Sequence, residues 1–297
     1  MKINEQTLIP VKITLLIILI FAISLTSCDE FNSGTDGDFL FKIGDDLEYS
    51  HDDIKLYDSS THILYFRTNH PEFDEIEKSS FSLYADGDKI YQGSFWPPYL
   101  CSLPPGVFIS NFFYPDYVLR FEYYGNGGVE PDLRNDPRII NALKRHDLLH
   151  SGLSVAIDSI EINGSQLDFS FTVTNHDQTD LLILDIDKTG PGLFHYFTNG
   201  LIIYDSNYNN IFSSNIEYQT PSQNDAWEMD WLSILKSGKS EQFRIIYPID
   251  ETVSPGIYTA HFRFPGLSHQ VDINELFQDG SRIWLGDLSL TKEITIQ

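Results

Sequence analysis

Apolar residues are distributed along this chain in two patterns. The first is a continuous run from Ile13 to Ile23, interrupted only by Thr14. As a helix it would rise about 16 Å, roughly half of a ~30 Å hydrocarbon core, so it is too short to span comfortably. The second begins at Phe39, where short alternating segments replace the run. His62–Thr68 and Tyr117–Tyr124 read as strands. Phe81–Ala85 and Lys89–Gly93 flank Asp86-Gly87, a strong two-residue hairpin signal. Pro97, Pro98, Pro104 and Pro105 predict an irregular loop between these strands. Asn135–Arg145 predicts a helix: Asp136 can cap it, Pro137 suits its first position, and Ile140, Leu143 and Leu148 mark an apolar face. That helix is expected to pack at the junction of two β regions.

After Leu153 the β pattern becomes regular. Strands are predicted at Val155–Ile162, Leu167–Thr174, Leu181–Leu184, Leu201–Tyr204, Phe243–Tyr247, Ile257–Phe264 and Leu288–Ile296. In the second of these, Leu167, Phe169, Phe171 and Val173 alternate with Asp168, Ser170, Thr172 and Thr174, which suits one buried and one wet face. Leu267–Leu285 reads as an insertion holding a short helix-like stretch, Val271–Phe277. The expected fold is mainly β, with two sandwich-like domains joined by a short helix. The boundaries are 39–134 for the N-terminal β domain, 135–150 for the junction helix and 151–297 for the C-terminal domain. Phe171-Thr-Val-Thr-Asn175, Leu201-Ile-Ile-Tyr-Asp205, Lys236-Ser-Gly-Lys239 and Pro255-Gly-Ile-Tyr258 resemble the turn and strand signals of bacterial immunoglobulin-like envelope domains. That resemblance implies an immunoglobulin-like sandwich for the last domain, although the antibody Cys-Trp-Cys pattern is absent.

The apolar run acquires meaning from what surrounds it. Lys2 and Lys12 precede it, and its length suits the core of a secretory signal peptide. Leu25-Thr26-Ser27-Cys28 follows and resembles the bacterial lipobox, a branched apolar residue, two small residues and a cysteine. The resemblance implies a signal peptide over 1–27 and a lipid, palmitate included, on Cys28. It also implies anchorage of the mature chain in a membrane through several acyl chains. Residues 28–38, polar and Gly-containing, read as a flexible tether. Asp29 and Glu30 resemble surface-export signals of Bacteroidota envelope lipoproteins. In enterobacterial systems an Asp at that position resembles an inner-membrane retention signal instead. The expected location is the cell envelope, with outer membrane or cell surface favoured over inner membrane.

Charge narrows the partners. Nineteen Lys and Arg face 43 Asp and Glu, a formal net charge of −24, and removing the leader removes only two Lys and one Glu. Such a body is repelled by nucleic acid and by anionic headgroups. It can attract cations or basic partners, and it keeps a surface protein soluble. If Cys28 is lipidated, the second cysteine, Cys101, has no partner, and the fold is not stapled by a disulfide.

Three clusters carry candidate chemistry. His146-Asp-Leu-Leu-His150 resembles the His-Glu-x-x-His zinc helix but has Asp147 where the general base belongs. Asp205-Ser-Asn-Tyr-Asn209 begins like a Ca²⁺ loop, yet Asn210 and Ile216 replace its Gly and its final Glu, and a hairpin turn explains the same residues. Aromatics gather in Phe95-Trp-Pro-Pro-Tyr99, in Phe112-Phe-Tyr-Pro-Asp-Tyr117 and at Trp227 and Trp231. Trp96 and Tyr99, on either side of Pro97 and Pro98, which argue against a regular buried strand, are the residues best suited to stack on sugar rings. No Gly-x-Ser-x-Gly, phosphate loop, dinucleotide fingerprint or Cys-x-x-Cys occurs, so no catalytic residue, metal or cofactor is assigned. The expectation is a membrane-anchored envelope lipoprotein with a noncatalytic binding or assembly role toward a glycan or an envelope protein. The alternatives are a surface glycan-binding lipoprotein of a polysaccharide-uptake system, and a hydrolase whose site is built from residues distant in sequence.

Overall fold

Period-two burial runs through the strands. In Gln166–Asn175 the side chains of Leu167, Phe169, Phe171 and Val173 are buried and those between them half-exposed. The computed structural model describes residues 38–76, 79–97, 99–100, 102–110, 114–125, 131–198, 200–213, 227–249, 253–267 and 271–296. The protein is mainly β, with several sheets. Among the described residues no helix is long and apolar enough to cross a membrane.

Nine strands form the N-terminal sheet: β1 (Phe39–Ile43), β2 (Leu47–Ser50), β3 (Ile54–Asp58), β4 (Ile63–Phe66), β5 (Ser80–Ala85), β6 (Asp88–Phe95), β7 (Gly106–Ile109), β8 (Val118–Tyr124) and β9 (Leu149–His150). Their order is β2-β1-β5-β6-β7-β8-β4-β3-β9, with parallel pairing only at β6/β7 and β3/β9. The Asp86-Gly87 hairpin forms as predicted, both residues at positive φ (55° and 83°), the geometry of a primed turn. Phe41 sits among Phe66, Phe81 and Phe121 with ring centroids 5.6–6.2 Å apart. A single turn, α1 (Phe73–Ile76), precedes β5.

The predicted helix is α2 (Pro137–Arg145), capped by Asp136, whose carboxylate accepts from the Arg138 amide at 2.9 Å. It departs from expectation in two respects. Its buried face is Ile139, Ala142 and Leu143, with Ile140 half-exposed. It also packs into the core of the N-terminal sheet rather than standing between two β regions. The chain turns at Asp147 (φ 55°) and enters β9, so residues 149–150 are strand, not helix.

The C-terminal part holds three sheets. β10 (Leu153–Asn163), β11 (Gln166–Asn175) and β16 (Ser240–Pro248) make the first. The second contains β12 (Leu181–Leu184), β15 (Leu232–Leu235), β18 (Phe277–Gln278) and β19 (Ser281–Ile283). The third contains β13 (Leu201–Tyr204), β14 (Asn210–Ser213), β17 (Gly256–Pro265) and β20 (Asp287–Ile296). The first and third pack face to face: Phe169 and Phe171 lie 4.7 and 4.8 Å from Phe262. Two local expectations fail. Val271–Phe277 is not a helix: the Asp272 carboxylate takes the Asn274 amide in a turn, and Phe277 already begins β18. A helix absent from the sequence reading, α3 (Ile186–Phe194), follows β12, kinked where Gly190 (φ 68°) meets Pro191.

The two parts share core. Leu56, Ile63, Tyr65, Tyr117 and Val118 of the N-terminal sheet belong to the hydrophobic cluster of the C-terminal sheets, and residues 37–297 form one compact unit. Tyr117 donates its hydroxyl to the Val271 carbonyl at 2.7 Å. Arg120 of β8 binds Asp287 of β20 at 2.7 Å, and Arg263 joins the same carboxylate at 2.6 Å.

Candidate functional site

The loop 96–105 connects the parallel strands β6 and β7, so it must cross over rather than turn back, and its prolines keep it off the sheet. Its base is braced. The Trp96 amide donates to the Ile109 carbonyl at 2.7 Å, the indole Nε1 donates to the Ser102 carbonyl at 2.7 Å, and the Leu100 amide reaches the Pro97 carbonyl at 3.1 Å. Trp96 is half-buried and Pro97 buried, whereas Tyr99 is 70% exposed. Leu100 and Leu103 are exposed beside it. Trp96 thus holds the loop with its polar edge, and Tyr99 presents a ring to solvent. Of the other aromatics, Tyr117 is buried, and Tyr114, Trp227 and Trp231 are half-buried against the C-terminal core. Cys28, Asp29, Glu30, Cys101, Phe112 and Phe113 lie outside the described residues.

His146 and His150 do not face one another's ligand space. His146 is the C-cap of α2, and its ring stacks on His51 at 3.8 Å between centroids and 15° between planes. Asp38, just before β1, lies 3.7 Å from His51 Nδ1 and 3.8 Å from His146 Nε2. These three side chains, from three separate segments, bring one ligand atom each within 4.8 Å of one another. His51 and Asp38 carry no sequence signature, because the turn after β2 and the residue before β1 approach the helix end only in the folded chain.

His150 belongs to a different constellation. Its Nδ1 contacts the two Asp177 carboxylate oxygens at 2.8 and 3.0 Å. Arg282 Nη2 donates to Asp177 Oδ2 at 2.9 Å and to Asp58 Oδ2 at 2.8 Å, and its guanidinium lies 5.7 Å from the Tyr65 ring centroid. Asp58 and Arg282 are wholly buried. Asp58 Oδ1 also takes the Ser60 amide and hydroxyl, at 3.0 and 2.6 Å. Burial alone would raise the Asp177 carboxyl, but the His150 hydrogen bond and the Arg282 charge outweigh it and hold it well below the usual carboxylate range. Gly152, at φ 65°, packs where any Cβ would strike Ser60 and Asp58. Arg282 thus ties Asp58 of the N-terminal sheet to Asp177 of the C-terminal part through one nitrogen, and the group is a largely buried bond between the two β parts.

The Asp205 loop closes as a hairpin between β13 and β14. Asp205 accepts from the Asn207 and Asn209 amides, both at 2.8 Å, and from the Asn209 side chain at 2.8 Å, and these bonds lower its pKa. Its oxygens are therefore committed to the turn.

No protein-family model matches the chain, and no curated protein matches it in sequence.

Proposed function

We propose that this chain is a lipid-anchored bacterial envelope protein with a noncatalytic binding or assembly role. Cys28 carries the anchor, residues 28–38 serve as tether, and the acidic β body is held at the outer membrane or cell surface. The apolar run Ile13–Ile23, followed by Leu25-Thr26-Ser27-Cys28, supports the anchor. The β10-β11-β16 and β14-β13-β17-β20 sheets packed face to face support reading the C-terminal part as immunoglobulin-like. A single observation carries the binding role: the braced loop that holds Tyr99 in solvent beside Leu100 and Leu103. A large exposed aromatic with two exposed leucines close in sequence offers apolar surface to a binding partner.

The same loop favours a second, narrower reading, a glycan-binding lipoprotein, because a tyrosine face stacks on the apolar face of a pyranose. Two measurements test the proposal. Labelling of cells with a palmitate analogue is expected to mark the protein and to be lost in Cys28→Ser, which should also leave the membrane fraction; retained label overturns the anchor. A glycan array probed with the purified protein is expected to give signals that Tyr99→Ala abolishes. A silent array removes the glycan reading and directs the search for a partner to envelope proteins.

A further inference from the structure

We propose that Asp38, His51 and His146 form a binding site for a divalent transition metal of the zinc type. The site fastens the first residue of the β body to the end of α2. The inference goes beyond the binding role proposed above and does not rest on it.

The donor set comes first. Two imidazole nitrogens and one carboxylate oxygen suit Zn²⁺ and its neighbours, whereas Ca²⁺ and Mg²⁺ take oxygen ligands almost throughout. Three protein ligands leave a fourth tetrahedral position for water. The geometry fits. Ligand atoms about 2.0–2.1 Å from a tetrahedral zinc stand roughly 3.4 Å from one another. Here Asp38 Oδ1 lies 3.7 and 3.8 Å from the two histidine nitrogens, and all three ligand atoms fall within 4.8 Å. Closing onto an ion also requires the two stacked rings to rotate out of their near-parallel arrangement so that both nitrogen lone pairs point at it, and the half-buried side chains (25–31% exposed) leave room for that rotation.

Hydrogen bonding does not account for the arrangement. Separations of 3.7 and 3.8 Å exceed hydrogen-bond length. Nδ1 of His51 is enclosed and, among the described residues, has no hydrogen-bond partner. A buried polar atom left so is unfavourable, and a metal would satisfy it. The backbone holds the pieces independently of any ion. The Asp38 carbonyl accepts from the Asp86 amide at 3.2 Å, the Ile54 amide bonds the His51 carbonyl at 3.3 Å, and the His146 amide bonds the Leu143 carbonyl at 3.3 Å. A body of net charge −24 further raises the local concentration of cations.

The test uses the full untagged chain in detergent, stripped with EDTA and titrated with zinc chloride. Calorimetry and elemental analysis after desalting are expected to give one zinc per chain, with a rise in Tm. His51→Ala and His146→Ala should each weaken affinity about tenfold or more. Asp38→Asn, nearly isosteric, should weaken it without disturbing packing. His261→Ala, which removes an exposed histidine elsewhere, should bind as the wild type does. Variant melting temperatures in EDTA within about 2 °C of wild type establish that loss of binding is not loss of fold. Sub-stoichiometric zinc in the wild type, or equal binding by the Asp38, His51 and His146 variants, overturns the site.

Discussion

Arg282 carries a full charge into a place without water, and its partners lie 224 and 105 residues away in sequence. Burying a guanidinium is unfavourable by several kcal/mol, and two carboxylates with a tyrosine face recover that cost only while all are present. Replacing Arg282 with Met removes the charge but keeps most of the volume, leaving Asp58 and Asp177 sealed and facing each other. The expected loss is about 3–5 kcal/mol in urea unfolding. A triple variant, Arg282→Met with Asp58→Asn and Asp177→Asn, should recover part of it, because no net charge then remains buried. Nothing in Ser281-Arg282-Ile283-Trp284 marks this arginine in the sequence, where it falls within the insertion Leu267–Leu285. The same limit hid Asp38 and His51 beside His146. Pairings made by long-range topology leave no local spacing to read, whereas Tyr99 could be singled out because Pro97 and Pro98 directly precede it.

At the scale of elements, legibility followed local chemistry. The Asp136-Pro137 start of α2, the Asp86-Gly87 hairpin and the alternation of β11 were readable because each is decided by neighbours within a few residues. α3 was not, since Gly190-Pro191-Gly192 has the composition of a turn and the helix survives it only as a kink held by buried Ile186, Leu193 and Phe194. Strands β18 and β19 are two and three residues long and become strands because β19 joins β12 and β18 joins β19 at the edge of that sheet. They show no alternation of their own. The capping assignment is directly testable. Asp136→Ala removes the acceptor for the Arg138 amide and is expected to lower stability by about 1 kcal/mol. Asp136→Asn or Asp136→Ser should restore most of it in thermal melts. Equal stability of the Ala and Ser variants would show that the cap contributes nothing.

For the whole molecule, the acid limb of stability is set by groups in both β parts. Burial pushes His195, whose ring accepts or donates a bond to the Tyr247 hydroxyl at 2.9 Å, down to about 4 from 6.5. Burial, helped by the Arg134 charge, does the same to His62, which contacts Tyr57 at 2.9 Å. The unfolded chain takes up these protons near the ordinary histidine value and the folded chain does not. The unfolded state therefore binds more protons between about 6.5 and 4, and stability falls as pH drops through that window. The histidine contribution is complete above the window. Asp177 acts in a lower one: its depressed carboxyl stabilises the fold above the ordinary carboxylate value, and that contribution is lost as pH falls further. The net charge of −24 works in the opposite direction, since protonation relieves repulsion, but those charges are mostly exposed and screened by salt. At physiological ionic strength the histidines should dominate near pH 5, each weakening the fold by on the order of 2 kcal/mol relative to neutral pH. His195→Phe gives up the Tyr247 bond and should start less stable at pH 7, yet lose less on acidification. Urea titrations of wild type and variant at both pH values compare the slopes. An unchanged difference between the two pH values would mean that His195 takes up its proton equally in the folded and unfolded chains, and that its burial does not shape the acid limb.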